Sequence, residues 1–196
     1  NQLTQPGQVR YDARQFAWLG TIDAQTNVLA VAAAKTSVRS IGDATKNQVI
    51  IGATNAGSFL YQEPALMNAL LQTKFKIVSG YKGVRDLNLA LERGEIDGQV
   101  SPWSTWKSER QDWLKAGTVV SLIATGAPPN DLPGVPLFAD LVKDMRAKSL
   151  VGLLDSSSIL GRSLAAPRDT PADRVRSLRT ALAAAVNDPE FVAERD

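Results

Sequence analysis

The chain has 196 residues, 44% hydrophobic and 21% charged, a length that suits one large domain or two small ones around a buried core. Its 22 basic and 20 acidic residues leave a formal net charge of +2, and no Lys/Arg run exceeds two, which indicates neither a nucleic-acid footprint nor a polybasic membrane anchor. With no cysteine and no histidine, thiolate nucleophiles, disulfides, Cys/His zinc sites, imidazole bases and a Ser-His-Asp triad are all excluded within the chain.

Residues 1–14 are polar, carry Pro6 and Gly7, and read as an irregular lead-in. They do not resemble a signal peptide, and no apolar run approaches the ~20 residues needed to span a bilayer. Residues 16–22 (FAWLGTI) and 28–34 (VLAVAAA) are apolar runs of strand length. Residues 40–45 suit a short helix, and 49–54 (VIIGAT) form a β-branched strand ending in the polar loop 54–58. Beyond it Leu66, Met67, Leu70 and Leu71 have helical spacing, with Pro64 marking a start or a kink.

The stretch FKIVSGYKGVRDLNLALERGEIDG, residues 75–98, is one complete strand–helix–strand step. Leu87, Ala90 and Leu91 share a helix face and Gly94 is placed to end the helix. Gln99 and Val100 begin another strand, Trp103, Trp106 and Trp113 line one helix ending near Gly117, and residues 118–125 (TVVSLIAT) form a further strand. Repeated alternation from 28 to 125 predicts an α/β fold with a mostly parallel sheet flanked by helices. A Pro-rich connection follows at 127–136, then helices over 137–142 and 150–154, and a short strand at 164–166. The last long helix has Thr170 as its expected N-cap, Pro171 at its first position, and a stripe of Val175, Leu178, Leu182 and Val186, with Asp188 and Pro189 closing it.

Three strand-to-helix turns fall at one predicted sheet edge. In the 54–58 loop, Thr54 and Ser58 hydroxyls, the Asn55 amide and Gly57 can complete a carboxylate cradle where a helix start presents unpaired N–H groups. The same residue types also make an ordinary cap and turn. In the 80–83 turn, Gly80 and Gly83 allow close backbone approach and Tyr81 offers an aromatic wall; a plain glycine turn is the simpler reading. Ser101 and Trp103 follow the next strand as weaker candidates to line a cleft. The spacing matches neither a Walker A loop nor GxGxxG, so no nucleotide cofactor is indicated. Glu92, Glu95 and Asp97 invite an acid/base reading, but a solvated helix end, with Glu92 pairing locally with Arg85 or Arg93, accounts for them better. The tryptophans fit core anchors better than a stacking platform.

The run GYKGVRDLNLALERGEIDG, with W-x-x-W downstream and Asp112-Trp113-Leu114 after it, resembles the Bug-type solute receptors of tripartite tricarboxylate transporters. The resemblance continues through Trp18-Leu19-Gly20, Asn27-Val28-Leu29, Leu132-Pro133-Gly134-Val135-Pro136, Gly161-Arg162 and Ala166-Pro167. It implies a periplasmic-binding-protein type II-like fold with one complete lobe and part of a second. Residues 1–24 would be a lead-in and hinge-proximal part of lobe one, 25–125 lobe two, and 126–196 a helical return to lobe one. It also implies that the chain begins after the family's N-terminal segment, shortening it by roughly a third. Asn55 and Ala56 depart from the glycine- and proline-rich sequence usual there.

The function so implied is a periplasmic receptor, not an enzyme. It would capture a small carboxylate, hold it through backbone amides and hydroxyls of the two loops, and present it to the membrane permease subunits of a tripartite transporter, with no cofactor, metal, nucleic acid or membrane insertion. The alternative is a ligand-sensing effector domain of a bacterial regulator, although no basic helix-turn-helix accompanies it. An acid/base enzyme built on Glu92, Glu95 or Asp97 lacks a nucleophile, base and orienting group that could be assembled together.

Overall fold

The computed structural model describes residues 11–127, 131–160 and 162–195. The expected lead-in before residue 11, Pro128, Pro129 and Asn130 of the Pro-rich connection, and Gly161 lie outside the described residues. The chain divides into two compact units, one being Gln25–Ile159 and the other formed from the segments up to Ala24 and from Leu160 onward. The larger unit continues to Ile159; the lobe bounds at 25 and 125 are what the family resemblance implies.

In the larger unit the first strand, β2 (Thr26–Ala32), follows β1 (Ala17–Thr21) of the smaller one. Then come α1 (Ile41–Ala44), β3 (Val49–Ala53), α2 (Phe59–Leu71), β4 (Phe75–Ser79), α3 (Val84–Arg93) and β5 (Gly98–Pro102). α4 (Trp103–Glu109), α5 (Gln111–Lys115), β6 (Val119–Gly126), α6 (Phe138–Leu141) and α7 (Met145–Ile159) complete it. The five strands form a sheet ordered β4-β3-β5-β2-β6. β3 pairs in parallel with β4 and β5, while β2 pairs antiparallel with both β5 and β6. Four strands therefore point one way and β2 alone runs against them. All seven residues of β2 are buried, as expected of a central strand covered on both faces.

Local chemistry explains most boundaries. Ser40 and Asp43 close a reciprocal capping box on α1. α3 buries Leu87, Asn88, Ala90 and Leu91, and Gly94 ends it at φ 74°, a left-handed conformation that glycine adopts without steric cost. Pro64 lies inside α2, buried, rather than at its start. The expected single tryptophan helix is two, because Arg110 leaves helical geometry at φ −138° and ψ 33° while its guanidinium sits 4.5 Å over Trp113 and 3.2 Å from Glu92. Trp106 is buried and donates its indole N–H to the Val28 carbonyl at 3.2 Å. With Leu29, Ile51, Met67, Leu87, Ile96 and Phe138 it forms the core.

In the smaller unit β1 pairs antiparallel with β7 (Ser163–Ala166), and α8 (Ala172–Val186) packs on β1. Arg179 of α8 donates twice to the Trp18 carbonyl, at 3.0 and 2.7 Å. Pro171 itself, not Thr170, is the N-cap of α8, its extended ψ of 139° placing it just outside the helix. Pro189 then opens a further helix, α9 (Pro189–Arg195), where its missing N–H costs nothing. Among the described residues no helix is long and apolar enough to cross a membrane.

Candidate functional site

The carboxyl ends of β3, β4, β5 and β6 share one edge of the sheet, and β2 begins there because it runs the other way. The 54–58 loop leaves β3 and enters α2. Its side chains turn inward: Asn55 Oδ1 accepts from the Gly57 N–H at 2.9 Å, Ser58 Oγ donates to the Asn55 carbonyl at 2.8 Å, and Thr54 Oγ1 donates to Ser58 Oγ at 2.8 Å. Ser58 is the N-cap by backbone, yet its hydroxyl, held in this turn, makes no capping bond. The first-turn amides of Phe59 and Leu60 are therefore uncapped, and α2 has no acidic residue in its first turn to oppose an anion.

The 80–83 turn is joined to this loop by backbone bonds. Gly80 N–H donates to the Thr54 carbonyl at 2.8 Å and Tyr81 N–H to the Ala53 carbonyl at 3.4 Å. Gly80 has φ 117°, and an added Cβ would meet nothing within 4 Å, so glycine is needed there for its backbone conformation. Gly83 is the N-cap of α3 in an extended conformation. In α3, however, Asp86 lies in the first turn and accepts from the Lys82 N–H at 3.2 Å, so that helix start already faces a carboxylate. Tyr81 is half-buried against the core.

Ser101 and Trp103 stand at the end of β5 and are buried. The Trp103 indole N–H donates to Asp131 Oδ1 at 2.7 Å, and Lys107 pairs with the other Asp131 oxygen at 2.8 Å. That indole is committed to the scaffold. The acidic trio lies at the opposite edge: Glu92 pairs with Arg110 rather than Arg85 or Arg93, Glu95 is 3.7 Å from Arg93, and Asp97 Oδ2 accepts from the Ile50 N–H at 2.8 Å. A shallow open groove lined by Arg85, Asn88, Leu89, Glu109 and Arg110 contains no residue of the two loops.

Sequence patterning missed a second polar cluster behind the 54–58 loop. Glu63, one turn into α2, is 2% exposed. Its Oε1 accepts from Asn27 Nδ2 at 2.6 Å, and the same Nδ2 lies 3.5 Å from Ser158 Oγ of α7. Beside them Asp155 Oδ1 accepts from the Gly126 N–H at 2.9 Å. Glu63 Oε2, Asn27 Oδ1 and Thr125 Oγ1 are buried without a hydrogen-bond partner. Burial pushes the Glu63 carboxyl up to about 7, the polar side chains of Asn27 and Thr125 oppose the rise, and the Asp155 charge adds to it. Burial also raises Asp155. The available signal was Glu63 itself: a lone acid between Leu60 and Met67 on the buried stripe of α2.

No protein-family model and no curated protein matches this chain. Solved structures do. A periplasmic transporter is 20% identical over 98% of this chain and 61% of its own, with a TM-score of 0.70. A TctC solute binding protein from Polaromonas is 17% identical over 96% of this chain and 62% of its own, TM-score 0.65. The R. palustris protein Rpa4515, with adipate, is 22% identical over 94% of this chain and 59% of its own, TM-score 0.64. The chain spans about three fifths of the length of these structures. Identities this low speak for shared architecture: the chain has the α/β fold of periplasmic solute-binding proteins.

Proposed function

We propose that this protein is a periplasmic solute receptor of the tripartite tricarboxylate type, which captures a small carboxylate at the 54–58 and 80–83 loops. The observation that carries this is the uncapped start of α2, joined by backbone bonds to the neighbouring turn at the carboxyl edge of the sheet, where open α/β folds bind ligands. Amides of Phe59 and Leu60 would hold the carboxylate, with the Thr54–Ser58 hydroxyl pair fixing the loop beneath it. The solved structure holding adipate supports a dicarboxylate as the first probe. Delivery to a membrane permease is part of the same proposal and rests on the family resemblance.

Calorimetry of the full chain against mono-, di- and tricarboxylates tests it. Saturable heat is expected for at least one class, and Ser58→Phe, which fills the loop, is expected to weaken it at least about tenfold, equal to ~1.4 kcal/mol. Absence of heat with every carboxylate overturns the proposal.

A further inference from the structure

We propose that Glu63 is the proton-linked positioning residue of the carboxylate site: when an anion seats on the 54–58 loop, Glu63 takes up a proton from solvent on its free oxygen, and carboxylate affinity falls as Glu63 ionises. The inference rests on the reading of that loop as a carboxylate site.

The placement supports it in three ways. First, Glu63 lies five residues beyond Ser58 on α2, about 8 Å along the helix axis, so an ionised Glu63 sets a negative charge within a Debye length of the anion's seat. Second, Glu63 is buried while the 54–58 loop reaches solvent at Asn55 and Ala56, so water screens its charge from the anion on the loop side alone. Third, no cation among the described residues pairs with Glu63, and only the uncharged side chains of Asn27 and Thr125 favour its ionised form, an arrangement that accommodates a neutral carboxyl better than a carboxylate.

The surrounding elements leave few other charges to carry the effect. From α7 the charged group acting on Glu63 is Asp155, while Arg146 and Lys148 of that helix are exposed. β2 offers uncharged Asn27 and β6 uncharged Thr125. β3 and β5, which α2 also packs against, carry no ionisable side chain, and Lys76 of β4 is exposed. Asp155 is the one competing acid: burial raises it too and the Gly126 N–H opposes that rise, so the Asp155→Asn variant separates the two.

The sign follows from charge alone. A bound anion disfavours the Glu63 carboxylate, so binding raises the proton affinity of Glu63, and by linkage a protonated Glu63 raises anion affinity. Adipate binding to the full chain, followed by calorimetry near neutral pH in two buffers of different ionisation enthalpy, reads this directly. The expected result is uptake of a fraction of a proton per adipate, with affinity falling roughly three- to tenfold between about pH 6 and about pH 8. Glu63→Gln should abolish the uptake and flatten the pH profile while still binding adipate; Asp155→Asn should keep the uptake. Should Glu63→Gln fail to fold, the two-buffer measurement on the unaltered chain and a carboxyl NMR titration of Glu63 with and without adipate carry the test. Saturable adipate heat without proton uptake, or uptake lost only in Asp155→Asn, overturns this inference and leaves the receptor reading standing. Where another carboxylate binds and adipate does not, the two-buffer measurement is made with that carboxylate; absence of heat with every mono-, di- and tricarboxylate in both buffers overturns the carboxylate reading of the loop together with the linkage built on it.

Discussion

The two edges of the five-stranded sheet hold contrasting sets of carboxylates. At the edge opposite the loops, Glu92, Glu95 and Asp97 crowd together in sequence, yet each has a partner: Arg110, Arg93 and the Ile50 N–H respectively. At the loop edge, Glu63 stands alone in sequence and is buried with an amide donor but no cation among the described residues. Clustering along the chain therefore says little about which acid is electrostatically unusual. Burial and the choice of partner decide it, and both depend on tertiary placement.

The largest expected effect lies at the loop edge. Because the Glu63 carboxyl is raised from 4.5 to about 7 on folding, the folded state binds this proton more tightly than the unfolded chain. Its stabilising contribution is complete below about pH 4.5 and is lost as pH rises through about 7, a swing on the order of 3 kcal/mol. Denaturant unfolding of the protein and of Glu63→Gln across this range should show the unaltered protein losing stability relative to the non-titrating variant as pH rises; a difference independent of pH would erase the contrast between the edges. A smaller effect belongs to Asp97→Ala, which strips the half-buried Ile50 N–H of its acceptor and should cost about 1–2 kcal/mol in the same assay. Carboxylate affinity should not change in this variant, and a loss of binding would show that the opposite edge reaches the site. The smallest effect is Glu95→Gln: its exposed pair with Arg93 at 3.7 Å predicts a change below ~0.5 kcal/mol in stability.

Much of the fold was legible because strands and helices here carry clear periodicity, from the β-branched β3 to the glycine-terminated α3. The direction of β2 was not. Burial on both faces marks a central strand but says nothing of which neighbours it meets or how it runs, and those are set by pairing with residues about 70 to 100 positions away. The break between α4 and α5 was hidden because Trp103, Trp106 and Trp113 keep helical spacing across it, while the cause, Arg110 drawn to Glu92 and Trp113, is a matter of packing. At the site, the turn residues of both loops announced themselves through glycine, serine and asparagine. The bond from the Trp103 indole was not legible, because its partner Asp131 lies 28 residues on. Glu63 was passed over because an acid next to Pro64 reads as a helix boundary, whereas the helix had already begun at Phe59.

The bond from Gly80 N–H to the Thr54 carbonyl makes the two loops one mechanical frame. A molecule that seats against either loop finds the other already in place, so little chain disorder has to be removed at the moment of association. The same coupling runs outward: strain introduced at residue 80, where the positive φ suits glycine, is passed to the Thr54 carbonyl and through the 54–58 loop to the start of α2. Substitutions in one turn should thus be read in the exchange rates of amides in the other.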